Sequence, residues 1–151
     1  MIFEYAKDMA DILKLVPIET NMLKKHYSKN AMDIKDRLLW MDCVLNNKKM
    51  TTHYEFKVLM VYADENKESV LGFIVFSIMK SNIKYMNEIR IFRAWYDHKF
   101  PEIKDTVWKM LEDTAKDFKI PKIIFEANRG IKAFVKTWKM KPVSVMLERK
   151  V

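Results

Sequence analysis

A chain of 151 residues, half of them hydrophobic and 13% aromatic, has the apolar content to fill a core and lies far from the composition of disordered chains. Its single cysteine, Cys43, excludes an internal disulfide, and no segment reaches the ~18 consecutive apolar residues of a membrane span. The formal charge of +8 favours acidic partners such as nucleic acid, nucleotides or an anionic surface, or else describes a lysine-rich solvated exterior.

In chain order, residues 2–6 suit a short first strand. Met9, Ile12, Leu13 and Val16 recur at helical spacing, and Pro17 is expected to end or kink that helix. A second helix is predicted over 32–45, with Ile34, Leu38, Met41 and Leu45 on one face and Asp33 at its start. Cys43 falls in that pattern, where a free thiol acts as a small hydrophobe. Residues 54–62 read as a strand. The apolar run 70–79, broken only by Gly72 and Ser77, suits a strand covered on both faces. Residues 85–95 alternate, completing a predicted antiparallel meander. Residues 102–118 carry the clearest helical pattern, Ile103, Val107, Met110, Leu111, Thr114 and Phe118, with Pro101 just before it. A short buried strand at 123–125, a short helix at 130–139 and a final strand at 143–147 follow.

The order β-α-α-β-β-β-α-β-α-β, with one βαβ crossover near 85–126, predicts one α/β domain over 1–151: a mixed sheet of six to seven strands, mostly antiparallel, and four helices. Acids interrupt the N-terminal segment, at Glu4 and Asp8, which argues against a signal peptide. A soluble cytoplasmic protein is expected.

This order and several stretches of sequence resemble the GNAT acetyltransferases. Val70-Leu71-Gly72-Phe73-Ile74 resembles one of the family's strands, Glu88-Ile89 with Ile91 its glutamate-bearing strand, and Asn128 the asparagine before its last helix. Residues 133–140 resemble that helix. The resemblance covers most of 54–151 and implies acetyl-CoA held between the Glu88 strand and the next one. Glu88 would then be a general base. The strand around Phe92 and Arg93 would pair with pantetheine, and Lys99 with the amides near Ile103 would take the phosphates.

The chain departs from the family at that phosphate loop. It holds only two glycines, whereas such loops use glycine to let backbone N–H groups approach a diphosphate. The register from Glu88 puts Lys99 at the family's Arg/Gln and Glu102 and Lys104 at its glycines. Phe100 crowds the loop, Pro101 removes a donor, and Glu102 brings a like charge. Phe134 and Val135 stand near the family's general-acid tyrosine and can give no proton. A non-catalytic binding or assembly module is therefore expected, with no cofactor. The alternative is an N-acetyltransferase that uses acetyl-CoA through a divergent loop. The lysine-rich sequence with weak motifs is similar in character to degenerate GNAT-like proteins of tailed phages, some of them virion components, which implies the host cytoplasm or a virion.

His26, His53 and His98 show no ligand spacing, so no metal site is expected. From Arg129 to Lys150 seven positive charges stand against Glu148. Lys132, Lys136 and Lys139 share a helical face that suits either solvent or a phosphate backbone, giving a third reading as a nucleic-acid-associated protein. Trp95, Tyr96 and Phe100, if exposed, would make an apolar interface for a protein partner or a second copy.

Overall fold

The computed structural model describes residues 1–25, 54–83 and 86–125, with positions 35, 36, 38, 39, 41, 42, 136, 139–143 and 149. Among them run β1 (Ile2–Tyr5), α1 (Met9–Leu13), α2 (Val16–Lys25), β2 (Tyr54–Tyr62), β3 (Val70–Met79), β4 (Glu88–Tyr96), α3 (Glu102–Asp117) and β5 (Ile123–Phe125). The sheet order is β1-β2-β3-β4-β5. The first three junctions are antiparallel; β5 joins β4 in parallel, Ile89 opposite Ile123 and Ile91 opposite Phe125, after the crossover through α3.

The predicted six to seven strands and four helices become five strands and three helices among the described residues. Of the predicted 32–45 helix, residues 35, 36, 38, 39, 41 and 42 are described and helical, with Leu38 and Met41 buried; Asp33, Ile34, Cys43 and Leu45 lie outside the described residues. So do His26, His53 and most of the last helix and strand. From these last two elements, Lys136 is helical, Lys139 has a left-handed backbone and Val143 is exposed.

Pro17 does not end a helix. Asp8 caps α1, its Oδ1 accepting the Asp11 N–H at 3.0 Å. The helix closes when the Lys14 N–H bonds back to the Asp11 and Ile12 carbonyls. Pro17 then stands at the second position of α2, where an N–H has no intrahelical acceptor and its fixed φ suits the first turn.

Alternation along the strands builds two cores. Val58, Met60, Tyr62, Phe73 and Val75 face α1 and α2 and pack with Ile12, Leu15 and Met41. Leu59, Ile74, Phe76, Ile78, Ile89 and Ile91 face α3 and pack with Leu111 and Ala115. Nearly every side chain of β3 is buried, as its continuous apolar run requires. Each fully buried Ile, Leu or Phe in these layers is worth about 1.5–3 kcal/mol.

β4 carries a bulge. Val75 pairs with Arg93 and Phe76 with Ile91, so Phe92 is the extra residue. The insertion lets two successive side chains, Phe92 and Arg93, both reach the α1–α2 side. Re-aiming side chains is the usual consequence of such an insertion.

α3 ends in a Schellman motif without glycine: the Ile120 N–H donates to the Ala115 carbonyl at 2.7 Å and the Lys119 N–H to the Lys116 carbonyl at 3.1 Å. Lys119 takes the left-handed conformation, φ 54°. The Lys80 ammonium donates to the Phe118 carbonyl, placing a positive charge at the negative end of the helix.

Candidate functional site

Two places collect the residues singled out from the sequence: the turn from β4 into α3, and the β4 face beneath the bulge.

At the turn, the Asp97 N–H donates to the Leu71 carbonyl at 2.7 Å. Asp97 then captures two amides further on: its Oδ1 accepts the Lys99 N–H at 3.0 Å and its carbonyl the Phe100 N–H at 2.9 Å. The Ile103 N–H donates to the Phe100 carbonyl at 3.1 Å, and the Lys104 N–H to the Pro101 carbonyl at 3.2 Å. Pro101 is the N-cap and brings neither an N–H nor a side-chain acceptor. Four amides of the turn and helix start, those of Lys99, Phe100, Ile103 and Lys104, are thus engaged within the chain. Glu102 and Asp105 stand in the first turn, so the helix's own carboxylates already answer its positive end.

Side chains fill the space around this turn. Phe100 and Tyr96 pack on Val61, Leu71 and Ile103, and Trp95 packs on the α1–α2 core. All three are half-buried. A cavity of about 20 Å³ remains between Ala94, Tyr96, Ile103, Val107 and Trp108, room for one or two waters. The Gly72 backbone makes this packing possible: a Cβ there would meet the Trp95 carbonyl oxygen at 3.0 Å and Ile103 at 3.4 Å. Lys99 and His98 are exposed, His98 standing edge-on to Tyr96.

Under the bulge, Glu88, Arg90 and Phe92 project from one face of β4 beside Tyr54 of β2 and Ser77 and Met79 of β3. Together they line a pocket of about 190 Å³. The Glu88 carboxylate is 14% exposed and accepts from Arg90, Nε to Oε2 at 2.9 Å and Nη2 to Oε1 at 3.4 Å. Phe56 extends the aromatic wall, edge-on to Tyr54 at 4.7 Å and stacked on Phe92 at 5.5 Å. Arg93 turns away from this pocket to Glu19.

The structure therefore brings Glu88 and Phe92 into one pocket and gathers Lys99, Ile103, Trp95, Tyr96 and Phe100 at another point. Asn128 and Lys132 lie outside the described residues; Lys136 and Lys139 are exposed. Tyr54, Ser77 and Arg90 escaped the sequence reading, although strand alternation could have found them: Tyr54 pairs with Met79, which pairs with Glu88, and Ser77 pairs with Arg90. Glu19 escaped as well, a lone acid in an apolar helical stretch. Among the described residues, no three carboxylate, His or Cys groups converge to hold a metal ion, and no helix is long and apolar enough to cross a membrane.

No family model matches the chain, and no curated protein matches it in sequence. Solved structures do match in shape. A possible acetyltransferase from Clostridium difficile 630 superposes with a TM-score of 0.69 at 17% identity, over 99% of this chain and 97% of that one. The ribosomal-protein-alanine N-acetyltransferase of Brucella melitensis biovar Abortus 2308 gives 0.66 at 12% identity, over 99% and 100%. A tetramutant of the BH1408 protein from Bacillus halodurans gives 0.66 at 12% identity over the whole of both chains. At such identities the likeness speaks for the fold alone, and with the mixed sheet and the α3 crossover it supports a GNAT-like fold for this chain.

Proposed function

We propose that this GNAT-like protein is a binding or assembly module that does not hold acetyl-CoA at the β4–α3 turn. The observation that carries this reading is the state of the turn: the amides of Lys99, Phe100, Ile103 and Lys104 all have acceptors within the chain. A diphosphate seated there would have to break those bonds, and a phosphate-binding helix start works because its N–H groups are unsatisfied. Half-buried Phe100 and the carboxylate of Glu102 add steric and electrostatic opposition at the same place. The partner is a protein or a second copy of this chain; a virion component of a phage is one such role.

Thermal denaturation with acetyl-CoA tests this. A ligand at 100 times its Kd stabilises by about 2.7 kcal/mol, which is several degrees for a chain of this size. The expected result is no shift at millimolar acetyl-CoA. A shift of that size overturns the reading.

The second reading, an N-acetyltransferase with a divergent cofactor loop, draws on the position of Glu88 at a pocket large enough for an acceptor amine. Turnover of acetyl-CoA with an amine, abolished by Glu88→Gln, would establish it. For association with nucleic acid, only the exposure of Lys136 and Lys139 speaks. Its test is retention on DNA that falls steeply with salt.

A further inference from the structure

We propose that the outer edge of β1 pairs with β1 of a second copy of this chain, antiparallel about a two-fold axis, with Phe3 opposite the partner's Phe3. This rests on the reading of the chain as a binding or assembly module and names its partner. The edge is open, and its polar groups follow from the ladder with β2. Ile2 pairs with Tyr62 and Glu4 with Met60, and the Ala6 N–H donates to the Val58 carbonyl at 2.8 Å. In an antiparallel ladder, residues bonded to the neighbouring strand alternate with residues whose N–H and C=O groups point the other way. The backbone groups of Phe3 and Tyr5 therefore face outward, and they have no partner among the described residues. β1 carries no proline and pairs with β2 without a bulge, so two common devices that blunt an edge are missing.

The residues of β1 select one register. Outward residues can bond only to outward residues, and the alignments that pair both Phe3 and Tyr5 differ in what they oppose. Tyr5 opposite the partner's Tyr5 would set Phe3 against the partner's Lys7, whose N–H is already held by Asp11 Oδ2 at 2.9 Å. Phe3 opposite the partner's Tyr5 would set Glu4 directly opposite the partner's Glu4, and like charges so placed are destabilising. Phe3 opposite the partner's Phe3 sets Tyr5 against Met1 and Glu4 against Ile2, and has neither fault.

The side chains agree with this register. Phe3 packs on the α3 side of the sheet, and the Tyr5 ring lies 6.4 Å from that of Phe76 in the same layer. Alternation puts Met1 on that face as well. Met1 and Tyr5 are large apolar residues left exposed, at 49% and 38%. The register lays each against the other, a sulfur–ring contact on either side of a central Phe3 pair. One apolar strip is thereby covered on both copies, and two five-stranded sheets become one continuous sheet. The contact is short, below the ~1,200 Å² of stable interfaces, so the dimer is weak, with a Kd on the order of 10–100 μM.

The test is analytical sedimentation of the whole chain, without acetyl-CoA, from about 20 μM to about 1 mM, with residue-resolved amide hydrogen exchange at both ends of that range. The mass rises from monomer toward dimer. The Phe3 and Tyr5 amides slow about fivefold or more at the high concentration, while those of Ile2, Glu4 and Ala6, which face β2, change less. Phe3→Pro removes an outward N–H that β2 does not use, at a position where an edge strand accepts proline, and weakens association at least ~tenfold. Glu4→Gln leaves the Kd within about twofold, whereas the alignment of Phe3 with Tyr5 would make it tighten. Circular dichroism confirms that each variant is folded, and the exchange measurement on the parent chain keeps the test decisive if Phe3→Pro is not. A monomer throughout the range, a dimer in which the Phe3 and Tyr5 amides keep their rates, or a dimer that Glu4→Gln tightens at least ~tenfold overturns the proposal. Because no thioester is present, a chain that stays monomeric removes this interface and leaves the acetyl-CoA reading, which has its own thermal test, untouched.

Discussion

Arg93 on β4 grips Glu19 on α2 with both prongs of its guanidinium, Nε to Oε1 at 3.0 Å and Nη2 to Oε2 at 2.7 Å, and the glutamate is 0% exposed. A bidentate pair is the geometry in which arginine binds a carboxylate most strongly. The bulge at Phe92 makes it possible, because without the extra residue strict alternation would send Arg93 to the α3 side. The contact pins α2 across the sheet at the point where β4 bends.

Breaking this pair from one side should be costly. Arg93→Ala removes a bidentate cationic partner from a buried carboxylate, a loss for which about 3–5 kcal/mol is typical. Urea denaturation should show the midpoint falling accordingly. The double substitution Glu19→Met with Arg93→Met should recover most of the loss, since an apolar pair of similar volume needs no counter-charge. A double variant as weak as Arg93→Ala would show that packing, not charge, holds this junction.

Gly72→Ala should destabilise by about 1–3 kcal/mol, the usual cost of overpacking. The obstacle to the new methyl is a backbone oxygen, that of Trp95 at 3.0 Å, which moves only if β4 moves. The Tyr96 Cβ at 3.2 Å and Ile103 at 3.4 Å close the other directions. Chemical denaturation measures it, and a stability equal to the parent would mean that the β3–β4 spacing yields freely.

Lys119→Gly should stabilise. A left-handed backbone costs an L-residue roughly 1–2 kcal/mol that glycine does not incur, while glycine loses more freedom on folding. The net gain expected is about 0.5–1 kcal/mol, read as a melting temperature raised by about 2 °C. The Schellman bonds from Ile120 and Lys119 involve backbone alone and survive the change.

Alkaline pH should weaken the fold through Tyr62. Burial first, then the negative charges of Asp11 and Glu4, push its phenol up to about 12. Once unfolded, the phenol titrates near its ordinary value of 10. Between these two values the unfolded chain has lost a proton that the folded chain keeps, so stability falls as pH rises through this window. Glu4 raises the pKa of Lys67 by hydrogen bonding to it. That contribution is present below the ordinary lysine value and is likewise lost as pH rises. Tyr62→Phe should flatten part of the decline above pH 10, measured by denaturant midpoints across the range, and absorbance at the phenolate band should lose late-titrating amplitude in this variant.

Much of the scaffold was legible along the chain. The boundaries 54–62 and 70–79 coincide with β2 and β3, and the helix expected from 102 matches α3 to within a residue, because alternation and the 3.6-residue period are local signals. Pro17 misled because proline is compatible with a helix's first turn as well as with its end, and only the position of α2 distinguishes the two. At the candidate site, Glu88 and Phe92 could be named singly. Their company could not, since Tyr54 and Ser77 reach them only through strand register.

By itself the amino-acid sequence determined the order of elements, the two-sided burial of β3 and the crowding at the α3 start, all consequences of side-chain size, polarity and spacing over a few residues. Tertiary structure decided where the bulge falls, that the amides of Lys99, Phe100, Ile103 and Lys104 are answered from Asp97, Phe100 and Pro101, and that Glu19 meets Arg93 from 74 residues away. Those facts depend on which strand residues lie opposite one another, and that choice is made by the packing of both sheet faces together.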